Sequence, residues 1–585
     1  MANKRCCDLM HDLFLPTLLF TAMGGMTWAV RGCSGYGASS GCIFAGVMWG
    51  AGWWYLAHES RGPQTRRYCS AWIIPAVTLA FGYSGARGWM QWHFLFEGHL
   101  STNPAKGEYA PISTFYGFLW MFIAGMPWAG LGACLLAWCG SLRETHACHW
   151  VLRMVCGVGG AYLGRYLFEA YPEYFLPLYS SIEAQYKDLD ANPSLRRMIN
   201  DNRQAMFHMG YYVGFLLFEC LRKDWKNVVL ILTVGILNGL GWALFQTWKW
   251  APGIWKDANF NWWRCWESSG GLSIGFAFGI AYFLVNRRMS DDEMSTVAKR
   301  RSLAGPNFEW LVVFGGLASY LGMFLQSQTE GWSTYCLAIL EIFAVIYYLA
   351  NRRNSLNSSD LSPRSLWTEV CTKPEWGAVA IGIANTLILF LPRILGRRTA
   401  MQYGVFPVAA VSVAGLIWYW MNHARFDEER RLATPDQGDP NLERMGLYLG
   451  LLFGLGHSAR SGLKGWFNIY LGNEDYWSRV LWNIMGPLFV LGVLAIVVCI
   501  LFRPLPTKFQ GVLFPHSYAA IWLVLIVQNV LGLLVTGPLS NWVEMQFAIY
   551  YVQLFLITAV IVVHYKLVKQ TACERLGEET NNSGQ

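Results

Sequence analysis

Charge is scarce in this chain. Only 14% of its 585 residues are Asp, Glu, Lys or Arg, against about 25% in a soluble globular protein, so a string of water-soluble domains is excluded. Its 15 cysteines form no CxxC pair and no Cys/His cluster at zinc spacing, which removes a disulfide scaffold and a structural zinc site. Cys33, Cys42, Cys69, Cys156, Cys220 and Cys336 fall in or beside apolar runs and read as small buried hydrophobes. HExxH, GxxxxGK[ST] and the kinase motifs are also missing. Zinc hydrolysis and nucleotide-driven transport therefore have no basis in the sequence, and neither a metal nor a cofactor is expected. The glycine-rich stretch from Gly32 to Gly41 is no phosphate loop, because no strand precedes it; it reads as a tight turn between packed helices.

Apolar residues are what the chain has in excess. They make up 54% of it, the mean hydropathy is +0.28, and apolar runs of about 17–25 residues, the length that crosses a bilayer, recur almost to the end. They place spans near 12–30, 42–58, 71–85, 114–138, 150–170, 205–221, 227–245 and 270–286, with the rest between 309 and 566. The total is about sixteen, or about fourteen without the weakest. The basic start and first apolar run resemble a signal peptide, but the run ends as later spans do and reads as the first of them. The expected fold is an all-α polytopic integral membrane protein, with residues 1–570 as one transmembrane domain and 571–585 as a disordered cytoplasmic tail.

The net charge of +8 lies in short clusters between apolar runs, a distribution that argues against a nucleic-acid partner. Even-numbered spans end in basic residues: Arg66 and Arg67, Arg143, Arg222 and Lys223, Arg287 and Arg288, and so on to Lys566 and Lys569. With those ends in the cytoplasm, that side holds about 28 of the 45 Lys and Arg. Both termini are then cytoplasmic in a multi-pass protein of the cell membrane. Odd-numbered spans share another ending, in which small residues are followed by Arg, Lys or Gln and then aromatics: Gly24 to Gly32, Phe81 to Trp92, Gly159 to Glu169, Leu237 to Trp250, Gly315 to Trp332 and Phe453 to Trp466. This reads as a repeated helical hairpin, a common plan in transporters.

Three clusters carry chemistry, all assigned to the non-cytoplasmic face. The first, between Gln246 and Glu267, sets Trp248, Trp250, Trp255, Trp262, Trp263 and Trp266 beside Lys249, Asp257, Asn259, Asn261, Arg264 and Glu267. Flat indole faces beside planar hydrogen-bonding groups suit a sugar ring. An interfacial aromatic belt accounts for the Trp and Lys but poorly for the acids and amides. The second cluster lies in the long loop 85–113 and offers Arg87, Trp89, His93, Glu97 and His99; His93 and Glu97 share a face if helical and would make a proton relay. The third contains Arg460, Lys464, Trp466, Glu474 and Asp475.

Arg31 and Arg165 lie close to the hydrocarbon boundary, where an ionisable group faces a cavity, a partner or an anion. Glu169 at i+4 gives Arg165 an intrahelical alternative, whereas the acids open to Arg31 are distant in sequence, Glu341 and Glu219. Asn238 and other amides within spans read as links between helices.

Together these readings predict a secondary transporter for a small polar solute, a carbohydrate or an anionic sugar. The solute would meet Arg31, Arg87, Trp89, His93, Glu97, Arg165, Trp250, Asp257, Trp263, Arg264, Glu267, Arg460 and Trp466, with a proton or sodium as coupling ion and the lipid bilayer as surroundings. The alternative is a membrane-embedded transferase or hydrolase working on a glycan or lipid-linked substrate at the outer leaflet, with Glu97, Asp257, Glu267 or Glu474 as general acid or base. A non-catalytic scaffold is the third reading.

Overall fold

The computed structural model describes residues 9–31, 38–57, 66–70, 72–87, 97–103, 107–140, 147–257, 262–287, 289–290, 293, 552–553 and 555–564. Helix accounts for 83% of the described residues, which is compatible with an all-α membrane protein. After a π-helical turn at Met10–Phe14 come α1 (Leu15–Arg31), α2 (Ala38–Ala57) and α3 (Ile73–Arg87). A β-hairpin of β1 (His99–Asn103) and β2 (Glu108–Pro111) leads into α4 (Thr114–Gly140) and α5 (Ala147–Ala170). Short helical turns then precede α6 (Pro193–Leu221), α7 (Trp225–Leu244), α8 (Trp262–Val285) and the late helix α9 (Phe555–His564).

Among the described residues, most helices fall where the apolar runs placed them; the spans expected between 309 and 536 lie outside these residues. The exceptions have local causes. α6 starts well before its apolar part because Pro193 occupies a first-turn position, where its missing N–H is no loss, and a polar stretch continues the helix. The loop 85–113 contains the antiparallel hairpin, with Gly98 and Gly107 at positive φ. The turn between α6 and α7 is only three residues, closed by Lys223 in the left-handed region at φ 58°. That conformation lets the N–H of Lys223 donate to the Cys220 carbonyl at 2.9 Å.

Among the described residues, three segments are long and apolar enough to cross a membrane: Thr114–Cys139, Trp225–Ile254 and Cys265–Val285. The outward faces have the same character. Val151, Leu152, Val155, Tyr162, Leu163 and Tyr166 are exposed along α5, and Val229, Ile236, Leu240 and Leu244 along α7. In water such a surface associates; beside lipid it is the normal exterior of a helix whose backbone bonds are closed within itself.

Six helices close a ring in the order α4, α7, α8, α1, α2, α3 and back to α4; α6 packs outside on α4, and α5 on α6. Small residues set the closest approaches. A Cβ at Gly271 or Gly275 of α8 would strike the Gly24 or Phe20 carbonyl of α1, and one at Gly210 of α6 would strike the Gly160 carbonyl of α5. These pairs meet backbone to backbone.

Among the described residues, the axis of the ring is filled by aromatic side chains from all six helices. Trp28 of α1 lies 5.4 Å from Trp49 of α2 and 5.2 Å from Trp128 of α4, ring centre to ring centre. Trp49 meets Phe81 of α3 at 4.8 Å and stacks on Phe278 of α8 at 5.8 Å. Trp128 meets Trp242 of α7 at 4.4 Å, and Trp242 meets Trp266 of α8 at 4.9 Å. Edge and tilted contacts of this kind add to the burial of large indole surfaces. Cys42 and Cys69 are buried, as small hydrophobes are, whereas Cys156 and Cys220 are partly so.

Candidate functional site

Alternating helix direction gives the ring two ends, which are built differently. At the end where α1 begins and α8 finishes, buried charges are joined without a break. Asp12, in the π-helical turn, accepts from Arg66 at 2.8 Å; Arg66 also donates to the Asn286 carbonyl at 2.7 Å. The Asn286 side chain accepts from the Tyr68 N–H at 2.9 Å, and the Tyr68 hydroxyl donates to Asn227 at 2.6 Å. Asn227 donates to Glu219 Oε2 at 3.0 Å, and Arg153 donates to Glu219 Oε1 from Nε at 2.9 Å and from NH2 at 2.5 Å. Arg67 and Asp224 form a side branch at 2.8 Å. Burial holds the Tyr68 phenol well above its ordinary pKa, so it remains a donor.

Sequence reading missed most of this network. Its signal was there: Arg153 and Glu219 are opposite charges inside two apolar runs, near the same end. Glu219 had been offered as a distant partner for Arg31, but its oxygens are taken by Arg153 and Asn227. Every acidic oxygen in the chain Asp12, Glu219 and Asp224 that is named above meets a donor, so this end reads as a structural tie.

The other end, where α7 finishes and α8 begins, is not closed in this way. Trp242 and Trp266 are the last rings of the aromatic column. One turn beyond Trp242 stands Gln246, with none of its surface exposed. Neither its Oε1 nor its Nε2 has a hydrogen-bond partner among the described residues, and the same holds for the Trp242 Nε1. A polar atom left so costs roughly 1–3 kcal/mol. Glu267, on the first turns of α8, is also wholly buried. Lys249 places its Nζ 5.4 Å from the centre of the Trp266 ring. Around them, Trp248 donates to Ser269 Oγ at 2.9 Å and begins a stack in which Trp248 and Trp262 are 5.9 Å apart, and Trp255 and Trp262 5.5 Å. No group of three or more metal-ligating side chains occurs among the described residues.

The chain matches no family model, no curated protein and no solved structure. Function is therefore argued from this geometry alone.

Of the thirteen residues expected to meet the solute, Glu267 is the one the structure describes inside this end. Trp250 and Asp257 are exposed nearby. Trp263 and Arg264 lie in the first turn of α8, and Arg31 and Arg87 are the last residues of α1 and α3. Glu97 is exposed and 3.4 Å from His99; its charge and that of Arg197 reach Lys249, which ties the second cluster to the first. Arg165 sits apart on the exposed face of α5, where it donates to Glu169 at 2.9 Å, the intrahelical alternative. Trp89, His93, Arg460 and Trp466 lie outside the described residues. Asn238 links helices as expected, donating to the Gly125 carbonyl at 2.6 Å.

Proposed function

We propose that this chain is a polytopic protein of the cell membrane, with about fourteen to sixteen helices built as repeated hairpins and both termini in the cytoplasm. Its activity on this reading is secondary transport of a small polar solute, a carbohydrate or an anionic sugar, received at the Trp242–Glu267 end of the ring, with a proton or sodium as coupling ion. The observation that carries the reading is Gln246: a wholly buried amide whose donor and acceptor both lack a partner among the described residues. Such a group is stable only when something polar meets it. The two indoles beneath it and the stacked Trp248, Trp262 and Trp255 beside it supply the flat apolar surfaces that a sugar also needs. The aromatic column then acts as the floor of the site, and passage requires it to part.

The test is uptake of labelled sugar into proteoliposomes. Wild-type protein should accumulate label, and Gln246→Leu or Arg31→Ala should stop accumulation without loss of the folded protein. Uptake that ignores both changes defeats the proposal. The second reading, a transferase or hydrolase at the outer leaflet, draws on the position of the site at one end of the bundle, since transporter sites usually lie near mid-membrane. It requires chemical change of a glycan in detergent, with Glu267 as acid or base and no closed vesicle.

A further inference from the structure

We propose that the end of the ring closed by Arg153 and Glu219 holds the headgroup of an anionic phospholipid between Lys226 of α7 and Arg287 just beyond α8, with its acyl chains along the outer seam of these two helices. The inference rests on the membrane reading above and does not depend on the solute.

Charge at this end is not balanced. Three acids each answer one cation: Asp12 pairs with Arg66, Glu219 with Arg153 and Asp224 with Arg67. Lys223, Lys226 and Arg287 are exposed and form no ion pair among the described residues. The acid within electrostatic reach of Lys226 is Glu293, whose Oε2 accepts from the Ser290 N–H at 3.0 Å. Arg288, Asp291 and Asp292 lie outside the described residues.

Lys226 and Arg287 are held as neighbours. α7 and α8 lie side by side in the ring with opposite directions, so the start of one meets the end of the other. Tyr68 ties these ends together: its hydroxyl donates to Asn227 at 2.6 Å, and its N–H donates to Asn286 Oδ1 at 2.9 Å. Lys226 and Arg287 are the residues next to those two amides, and Lys226 feels the charges of both Arg287 and Arg67. Like charges fixed in this way repel, and an anion between them removes the cost. A phosphodiester accepts charge-assisted bonds from the lysine ammonium and from the planar fork of the arginine.

The surface beside the cations is apolar. Val229 and Ile236 on α7, and Phe276 and Leu284 on α8, are exposed on the outside of the ring. Trp225, exposed at the first position of α7, suits the depth at which indoles meet headgroups. A free phosphate would use the cations and leave this seam bare, and a zwitterionic lipid would bring a cation of its own to a basic end. An anionic phospholipid uses both features. The proposal above turns this end to the cytoplasm, whose leaflet is the anionic one.

The experiment uses the full chain purified in detergent, with phosphatidylglycerol, phosphatidylcholine, glycerol 3-phosphate and inorganic phosphate as probes. Bound lipid is counted by native mass spectrometry, and the melting temperature is followed beside it. Phosphatidylglycerol should bind about tenfold or more tighter than phosphatidylcholine and raise the melting temperature. Lys226→Gln and Arg287→Gln should each weaken it about fivefold, and the double variant about twentyfold or more, as expected for cations at a lipid surface. Binding of phosphatidylcholine should not change, and the lipid-free variants should melt no lower than wild type. Glu293→Gln should tighten phosphatidylglycerol. Lys187→Gln, which removes an exposed cation just ahead of α6, should leave it unchanged.

Equal binding of the two lipids, or a double variant that keeps the preference, overturns the site. A loss as large in Lys187→Gln means diffuse attraction and overturns it as well. If glycerol 3-phosphate or inorganic phosphate displaces phosphatidylglycerol at comparable concentration, the ligand is a free phosphate and the lipid assignment fails. The membrane reading fails by a different sign: protein that stays dispersed without detergent and does not float with phosphatidylcholine vesicles.

Discussion

Replacing Glu219 by Leu leaves the Arg153 guanidinium buried at 1% exposure with its counter-charge gone. In the intact protein that guanidinium gives two bonds to Glu219 Oε1 and lies 4.8 Å and 5.1 Å from the ring centres of Trp138 and Phe218. The aromatic contacts survive the substitution and contribute roughly 1–2 kcal/mol each when desolvated; they do not replace a carboxylate. Loss of one member of a buried pair typically costs about 3–5 kcal/mol. Asn227 loses its acceptor as well, which adds about 1 kcal/mol. The single substitution should therefore cost roughly 4 kcal/mol or more, and Arg153→Leu should cost nearly as much, since Glu219 keeps only the Asn227 bond.

The double variant Arg153→Leu with Glu219→Leu leaves no stranded charge and should recover most of the loss. The assay is thermal or denaturant unfolding of all four proteins in one detergent, arranged as a double-mutant cycle. A coupling of about 2 kcal/mol or more is expected. Additive losses would falsify the claim that the pair acts as a unit, and single losses below about 1 kcal/mol would mean that water reaches it.

Gly210→Ala should destabilise by roughly 1–3 kcal/mol, because its methyl group meets the Gly160 carbonyl, whereas Gly159→Ala faces open space on the same helix pair and should be neutral or up to about 1 kcal/mol stabilising. Melting curves of the two variants side by side decide this. Burial raises the Asp201 carboxyl from 3.8 to about 6, Arg197 at 3.7 Å only partly opposing it. Its protonated form is favoured by folding, so the associated stability is complete below pH about 4 and fades as pH rises through about 6; Asp201→Asn should flatten a melting-temperature profile across that window and melt higher than wild type at pH 7. Arg165→Ala removes an exposed pair and should change stability by less than about 1 kcal/mol; a larger drop means the guanidinium has a further role.

The helices of the described residues were legible in the sequence because spans are written in bulk hydropathy, which needs no knowledge of neighbours. The crowding of tryptophan with polar residues in the 246–267 stretch was legible too. Its inner partner was not: Gln246 reads as one more polar residue at a helix end until the fold shows it wholly buried above Trp242. The loop hairpin was hidden because β1 and β2 are only five and four residues long, too short for a clear alternation of apolar and polar positions. An indole at a membrane surface and an indole in a packed ring have the same letter, and only the contacts of Trp28, Trp49, Trp128 and Trp242 place them inside.

What the sequence determined by itself is the solvent. With 14% charge and 54% hydrophobic residues, the chain must satisfy its backbone within helices and turn apolar faces outward, because lipid offers no hydrogen bonds. What the tertiary structure alone decided is how its few buried polar groups are spent. Arg153, Glu219 and Asn227 come from three helices and find one another, while Gln246 finds no partner among the described residues. Pairing depends on distances between segments far apart in the chain, and those distances are fixed by where glycines let helices touch.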